Sequence, residues 1–205
     1  MNTREKILDK ALEMFNERGI EYVGLRELAT VLNIRVGNIT YYFPTKDDLV
    51  FELSAGLRER NSGVMVAKDQ MTMLTFLEML HQVFRNHLHY RCLLLSFVHL
   101  MAQNQRIATA YKKTQKMRYE TLRENLDLLS GTGYLKAENE NDIQFLVSTI
   151  ALISRFWISE AAISFRQLSD DAQMQHYLQL IAKLLVPYAT GKGKREIKMF
   201  IQRLN

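Results

Sequence analysis

Apolar residues recur at helical intervals along almost the whole chain, and few residues stand in their way. Ile7, Leu8, Ala11, Leu12 and Phe15 trace one stripe at i, i+1, i+4, i+5 and i+8; Leu25, Leu28, Ala29 and Leu32 trace a shorter one. Near the C terminus Ile197, Phe200, Ile201 and Leu204 repeat the pattern at i, i+3, i+4 and i+7. With only 2 prolines and 9 glycines in 205 residues, little interrupts such stripes. No segment alternates as a half-buried strand would. The chain is therefore expected to be all-α.

The breakers that do occur set the boundaries. Thr3 is a candidate cap for a first helix that Gly19 stops, and Asn33 can take the left-handed conformation that closes a second. A third short helix over 35–43 ends at Pro44. Thr45 with Asp48 three residues later then forms a capping-type start for a fourth, whose first turn holds Asp47 and Asp48 as its dipole prefers. Beyond about residue 60 longer helices are expected at 72–90, 92–103, 106–130, 141–167 and 170–188. Breaks such as Gly131-Thr132-Gly133 and Ser169-Asp170-Asp171 separate them. The basic tail is expected to form a last amphipathic helix. This predicts a small N-terminal domain over 1–50 and a helical bundle over 51–205.

Composition narrows the classes further. The first nineteen residues are too charged for an export signal. The most apolar stretch, Phe145 to Phe165, carries Arg155 and Glu160 and falls short of the ~18 uninterrupted apolar residues of a spanning helix, so no membrane partner is expected. A single cysteine, Cys92, allows no internal disulfide and fits a reducing cytoplasm. The formal net charge of +5 suggests nucleic acid, but residues 1–60 hold 9 Lys/Arg against 10 Asp/Glu. Global basicity is weak support for DNA binding.

Stronger support comes from order and identity. Three short helices, the third following the second after a tight turn, are the arrangement that places a recognition helix in the major groove. The run from Ala29 to Leu49 contains Ala29, Gly37, Tyr41-Tyr42-Phe43 and Lys46, with Phe15, Gly19 and Arg26 upstream. It resembles the N-terminal DNA-binding domain of TetR-type transcriptional regulators, over about residues 3–52. The resemblance implies a helix-turn-helix domain joined through a fourth helix to a C-terminal ligand-binding and dimerisation bundle.

Each matched residue suits that role. Gly37 lets backbone come close to a phosphate. Asn38 and Thr40 can read base edges, and Val36 can meet a thymine methyl. Tyr41 and Tyr42 offer flat bodies with hydroxyl tips for phosphate oxygens, Lys46 offers a point charge, and Arg26 can reach the groove's edge. Three positions depart from the family pattern: Gly24 stands where Ser or Thr is common, Arg35 where a Ser often caps, and Tyr42 where His is usual. Arg35 exchanges a cap for a charge that can grip phosphate. The departures bear on which operator is read, not on whether DNA is bound.

In the second half, soft and aromatic residues suit an apolar effector pocket, for which Phe84, His87, Phe97, Met101, Tyr119 and Trp157 are the candidates. The resemblance implies dimerisation through the last two long helices. There Ile150, Ser154, Ile158, Leu178, Ile181 and Leu185 are the candidate interface, although intramolecular core would show the same stripe. His89, Cys92 and His99 are too widely spaced along one helix to share a metal ion unaided. No metal site, cofactor motif or catalytic constellation is visible, so no enzyme is expected. The expectation is a cytoplasmic homodimeric repressor that binds double-stranded operator DNA and is released by a small-molecule effector. The alternative is a helical interaction or ligand-binding protein whose DNA binding has degenerated.

Overall fold

The computed structural model describes residues 2–64 and 66–204. Among them lie eleven α-helices and a single isolated antiparallel bridge, Leu135 to Ala189. The helices are α1 (Thr3–Arg18), α2 (Leu25–Val31), α3 (Val36–Tyr42), α4 (Lys46–Ser62), α5 (Met73–His89) and α6 (Arg91–Leu95). After them come α7 (Phe97–Gln103), α8 (Gln105–Gly131), α9 (Glu140–Ser164), α10 (Asp170–Leu185) and α11 (Gly191–Leu204).

Local chemistry explains most of the ends. Asn2, rather than Thr3, caps α1: its side chain accepts from the Glu5 N–H at 2.9 Å while the Glu5 carboxylate accepts from the Asn2 N–H at 2.9 Å. Gly19 closes that helix at φ 93°, and Asn33 adopts φ 52° after α2. Thr45 and Asp48 bond reciprocally at the start of α4. The segment expected as one helix over 92–103 is two. Ser96, at φ −87° and ψ 11°, breaks it into α6 and α7. The segment expected to run to 188 stops at Leu185 and tightens into a 3-10 turn, Val186–Tyr188, because Pro187 cannot supply the next helical N–H.

The chain packs as two compact units. One comprises the residues up to Asn61 with His89–Lys112; the other comprises Ser62–Leu88 with the residues from Lys113 onward. Packing thus differs from a cut at residue 50, because α6 and α7 are compact with the N-terminal helices, α6 meeting α1 directly. In the first unit Ile7, Ala11, Phe15, Leu28, Ile39, Phe43 and Leu49 are almost wholly buried. Fully burying such side chains contributes about 1.5–3 kcal/mol each.

In the second unit α9 packs along α10, and α11 packs on α10 with its apolar face, Ile197, Phe200 and Leu204, buried. By length and mean hydropathy (1.4 over its most apolar window) α9 would suffice to cross a membrane, contrary to the stricter sequence criterion. Its inner face, with Leu146, Val147, Ile150, Trp157 and Ile158 buried, is what marks it as a bundle helix.

Candidate functional site

Helix α3 is seven residues long and is held from one side only. Ile39 is its one buried residue, with Phe43 buried just after it; Val36, Gly37, Asn38, Thr40, Tyr41 and Tyr42 all face out. Tyr41 is 81% exposed and meets the Tyr42 ring edge-on at 5.0 Å. Neither α2 nor α3 has a side-chain cap, as Gly24 and Arg35 implied. A Cβ added to Gly37 would meet nothing within 4 Å, and its φ is not positive, so neither packing nor backbone conformation in this chain calls for glycine there.

Lys46 is placed differently from the expectation of a free phosphate contact. Its Nζ donates to the carbonyls of Ile20 at 2.9 Å, Val23 at 3.3 Å and Glu21 at 3.4 Å. The ammonium satisfies the turn that links α1 to α2, and so holds the helix-turn-helix together from α4. Acidic side chains of this unit are also engaged internally: Glu27 pairs with Arg18, Glu52 with Arg4 and Asp48 with Arg106. Thr45, with Arg106 beside it, holds the Asp48 carboxyl below its usual range. Arg26 and Arg35 are exposed and make no ion pair among the described residues. Arg26 and Arg35 are thus the exposed cations of the α2–α3 surface left outside these pairs.

The second unit contains an aromatic core. Phe84 of α5 and Trp157 of α9 lie parallel, with centroids 4.9 Å apart and planes 5° apart, and Tyr177 of α10 tilts against the indole at 5.9 Å. The Trp157 Nε1–H donates to Nδ1 of His87 at 3.3 Å. Burial pushes the His87 imidazole down to about 3, helped by the positive charge of Arg118, so it is neutral and carries its proton on Nε2. Tyr119 is half-buried. Phe97 and Met101 belong instead to the first unit, where the Phe97 ring packs edge-on to Tyr111 at 4.9 Å. The six pocket candidates therefore divide between the two packing units.

A groove of about 360 Å³ lies elsewhere on the second unit, lined by Lys68, Glu124, Asp127, Leu128, Gly131 and Thr132. It holds none of the pocket candidates. Among the described residues no group of three or more His, Cys, Asp or Glu is placed to hold a metal ion. The buried Cys92 thiol is pushed up to about 12 by burial, which leaves it protonated.

Two family models match the chain: that of "Bacterial regulatory proteins, tetR family" over residues 7–53, and that of "Bacterial transcriptional repressor" of the TetR type over residues 59–197. The chain belongs to the TetR family. As a TetR-family transcriptional regulator it has a helix-turn-helix DNA-binding domain, and the family's members are not enzymes. A curated relative, the "Probable HTH-type transcriptional regulator YttP" of Bacillus subtilis (strain 168), is 30% identical over 86 residues, which span 41% of this chain and 42% of that protein. A TetR-family regulator from Marinobacter aquaeolei VT8 shares the fold over 100% of both chains, with a TM-score of 0.90 at 20% identity. The ketosteroid regulator KstR2 of Mycobacterium tuberculosis is similar over 92% of this chain and 96% of its own, with a TM-score of 0.62 at 16% identity.

In this TetR-family chain the residues expected to meet a second copy are mostly spent within the first. Ile150, Ile158, Leu178, Ile181 and Leu185 are at most 1% exposed, so they form the α9–α10 core, and Ser154 is half-buried beside them. The apolar residues these two helices leave outside are Phe145, Leu152, Ile163 and Leu180. A stripe pattern cannot say which of two apolar faces turns inward. Sequence reasoning also missed Gln173, whose burial in an acidic first turn carried no signal, and Asn16, an ordinary polar position on α1.

Proposed function

We propose that this regulator is a repressor which binds double-stranded operator DNA as a homodimer through α3 and is released by a small-molecule effector held in its C-terminal region. The observation that carries the reading is the outer face of α3. Val36, Asn38, Thr40, Tyr41 and Tyr42 are exposed together on a helix fixed by Ile39 and Phe43, around a Gly37 that the fold does not need. Asn38 and Thr40 read base edges; Tyr41, Tyr42, Arg26 and Arg35 meet the phosphates, and Val36 packs on a thymine methyl. Lys46 contributes by holding the turn.

Dimerisation follows from the task, since two recognition helices must reach half-sites ~34 Å apart. The face proposed for it is the outer one of α9 and α10, centred on Leu152, Ile163 and Leu180. The division of labour is DNA reading by residues 1–50 and effector binding and dimerisation by residues 51–205, in the cytoplasm. Effector and operator are coupled reciprocally: whatever lowers affinity for one in the presence of the other does so in both directions.

Fluorescence anisotropy with duplexes covering the DNA that flanks the chain's own gene tests the reading. Nanomolar binding to one duplex, falling steeply as salt rises, is the expected result. Asn38→Ala and Thr40→Ala should change sequence preference. Micromolar binding without preference at low salt would instead leave a helical ligand-binding protein with degenerate DNA recognition.

A further inference from the structure

The aromatic core of the second unit contains polar atoms that the chain leaves unmatched. The Gln173 side-chain nitrogen donates to the carbonyls of Phe165 at 2.9 Å and Leu168 at 3.1 Å, which fixes the orientation of its amide. The other end, Oε1, is buried and has no hydrogen-bond partner. The Tyr177 hydroxyl, one turn along α10, is likewise buried and unpartnered. Both residues are more than nine-tenths buried, at 3% and 6% exposure. Spacing of i and i+4 puts them side by side on one helix face. Buried polar groups in native proteins are nearly always satisfied, so an adjacent pair left open asks for an explanation.

Their surroundings describe what would satisfy them. The Tyr177 ring lies against Trp157 at 5.9 Å and near Phe165 at 6.2 Å, and Trp157 is stacked flat on Phe84. These ring faces are closed on one another, so a planar ring would stack there by parting Tyr177 from the indole. Phe84, Trp157, Phe165 and Gln173 have no ionisable group, and His87 is held neutral by burial and spends Nδ1 on the indole. Arg118, the charge that His87 feels, is itself an exposed residue of α8. His176, whose ring meets Phe165 at 4.5 Å and Tyr177 at 5.0 Å, is a second titratable neighbour beside His87. No Asp, Glu, Lys or Arg is among these ring contacts, so an ion brought in would lose its hydration against apolar faces.

We infer that the effector is an uncharged, planar ring compound bearing a hydroxyl, which stacks in the Phe84–Trp157–Tyr177 core, donates to Gln173 Oε1 and accepts from the Tyr177 hydroxyl. The inference rests on the effector reading above and narrows it. A hydroxyl matches the character of both open atoms, since the amide oxygen only accepts and the phenol can donate.

Equilibrium dialysis of the full-length protein, without DNA, tests it with 2-naphthol, naphthalene and 2-naphthoate at pH 7. The expected result is that 2-naphthol binds at least tenfold more tightly than either of the others. Tyr177→Phe removes one of the two partners of the ligand hydroxyl and nothing else, so it should cut the preference for 2-naphthol over naphthalene at least threefold while naphthalene binding holds, the rest of the preference falling to Gln173. Equal affinities in the unmodified protein, a preference for the carboxylate, no binding of any probe at millimolar concentration, or a preference left undiminished by Tyr177→Phe would each overturn the inference. Because no DNA is present, failure to bind an operator leaves this result standing. If another class of compound releases the operator while 2-naphthol does not bind, the chemical class falls alone.

Discussion

The side-chain amide of Asn16 joins α1 to the end of α5: its Nδ2 donates to the carbonyl of His89 at 2.9 Å. The same amide accepts the N–H of Cys92 at 2.9 Å through Oδ1, so one residue satisfies both sides of the corner between α5 and α6. Asn16→Ala removes both bonds and should lower stability by about 1–2 kcal/mol, the net worth of two partly solvated hydrogen bonds. Asn16→Asp keeps the acceptor for Cys92 but loses the donor to His89, and should fall between. Urea denaturation midpoints of the three proteins check the order.

Acid should weaken the second unit through His87. Its pKa is depressed from 6.5 to about 3 by burial, so the unfolded chain binds a proton in that interval and the folded chain does not. Stability is therefore full above pH 6.5 and falls as pH drops, by about 1.4 kcal/mol per pH unit. His81 and His89, also lowered chiefly by burial, act in the same direction. His87→Gln should flatten the dependence by about 2 kcal/mol between pH 6.5 and 5. An unchanged slope of the urea midpoint against pH would mean that His87 protonates in the folded state.

Two glycines at the start of α11 should respond oppositely to alanine. A Cβ on Gly193 would sit 2.3 Å from the backbone oxygen of Tyr134 and 3.2 Å from the Ala189 Cβ, where the turn is already tied by the Thr190 N–H to Tyr134 carbonyl bond. Backbone cannot step aside as a side chain can, so Gly193→Ala should cost about 3 kcal/mol or more. A Cβ on Gly191 meets only the tip of Arg195 at 4.0 Å. Gly191→Ala should be neutral or stabilising by up to about 1 kcal/mol. Thermal denaturation of the pair decides it.

The proposed dimer face predicts a separation of assembly from folding. Leu152 is 56% exposed, so Leu152→Glu should leave the chain folded and shift it to monomer in sedimentation velocity. Ile158 is wholly buried, and Ile158→Glu should destabilise the fold beyond about 4 kcal/mol and lose soluble protein altogether. If Leu152→Glu remains dimeric, a different surface joins the copies.

Local features were readable in proportion to how local their causes are. Gly19, Asn33, Thr45 and Asp48 act through their own backbone neighbourhood, and each closes or opens a helix as the sequence suggests. The break at Ser96 has no such marker, and α6 just before it packs on α1, a contact that local sequence does not announce. The outward face of α3 was legible because exposure there follows from a single buried position, Ile39. The role of Lys46 was not, because its partners Ile20, Glu21 and Val23 lie more than twenty residues away and offer only carbonyls. The pairing of Gln173 and Tyr177 was hidden for a similar reason: only the folded core shows which polar atoms go unmet.

Gly37 and Lys46 should separate the two ways a residue can serve DNA binding. Gly37 sits within a helix and faces open space, so Gly37→Ala should hold or raise the melting temperature, gaining about 0.5–1 kcal/mol of helix propensity. The added methyl stands where the groove wall would approach, and operator affinity should fall at least tenfold in the same protein. Lys46→Ala strands the carbonyls of Ile20, Glu21 and Val23 and should lower both stability and affinity, for every DNA sequence alike. The measurement is a melting curve and an anisotropy titration on each variant. Should Gly37→Ala bind operator as tightly as the unmodified chain, α3 does not enter the groove by this face.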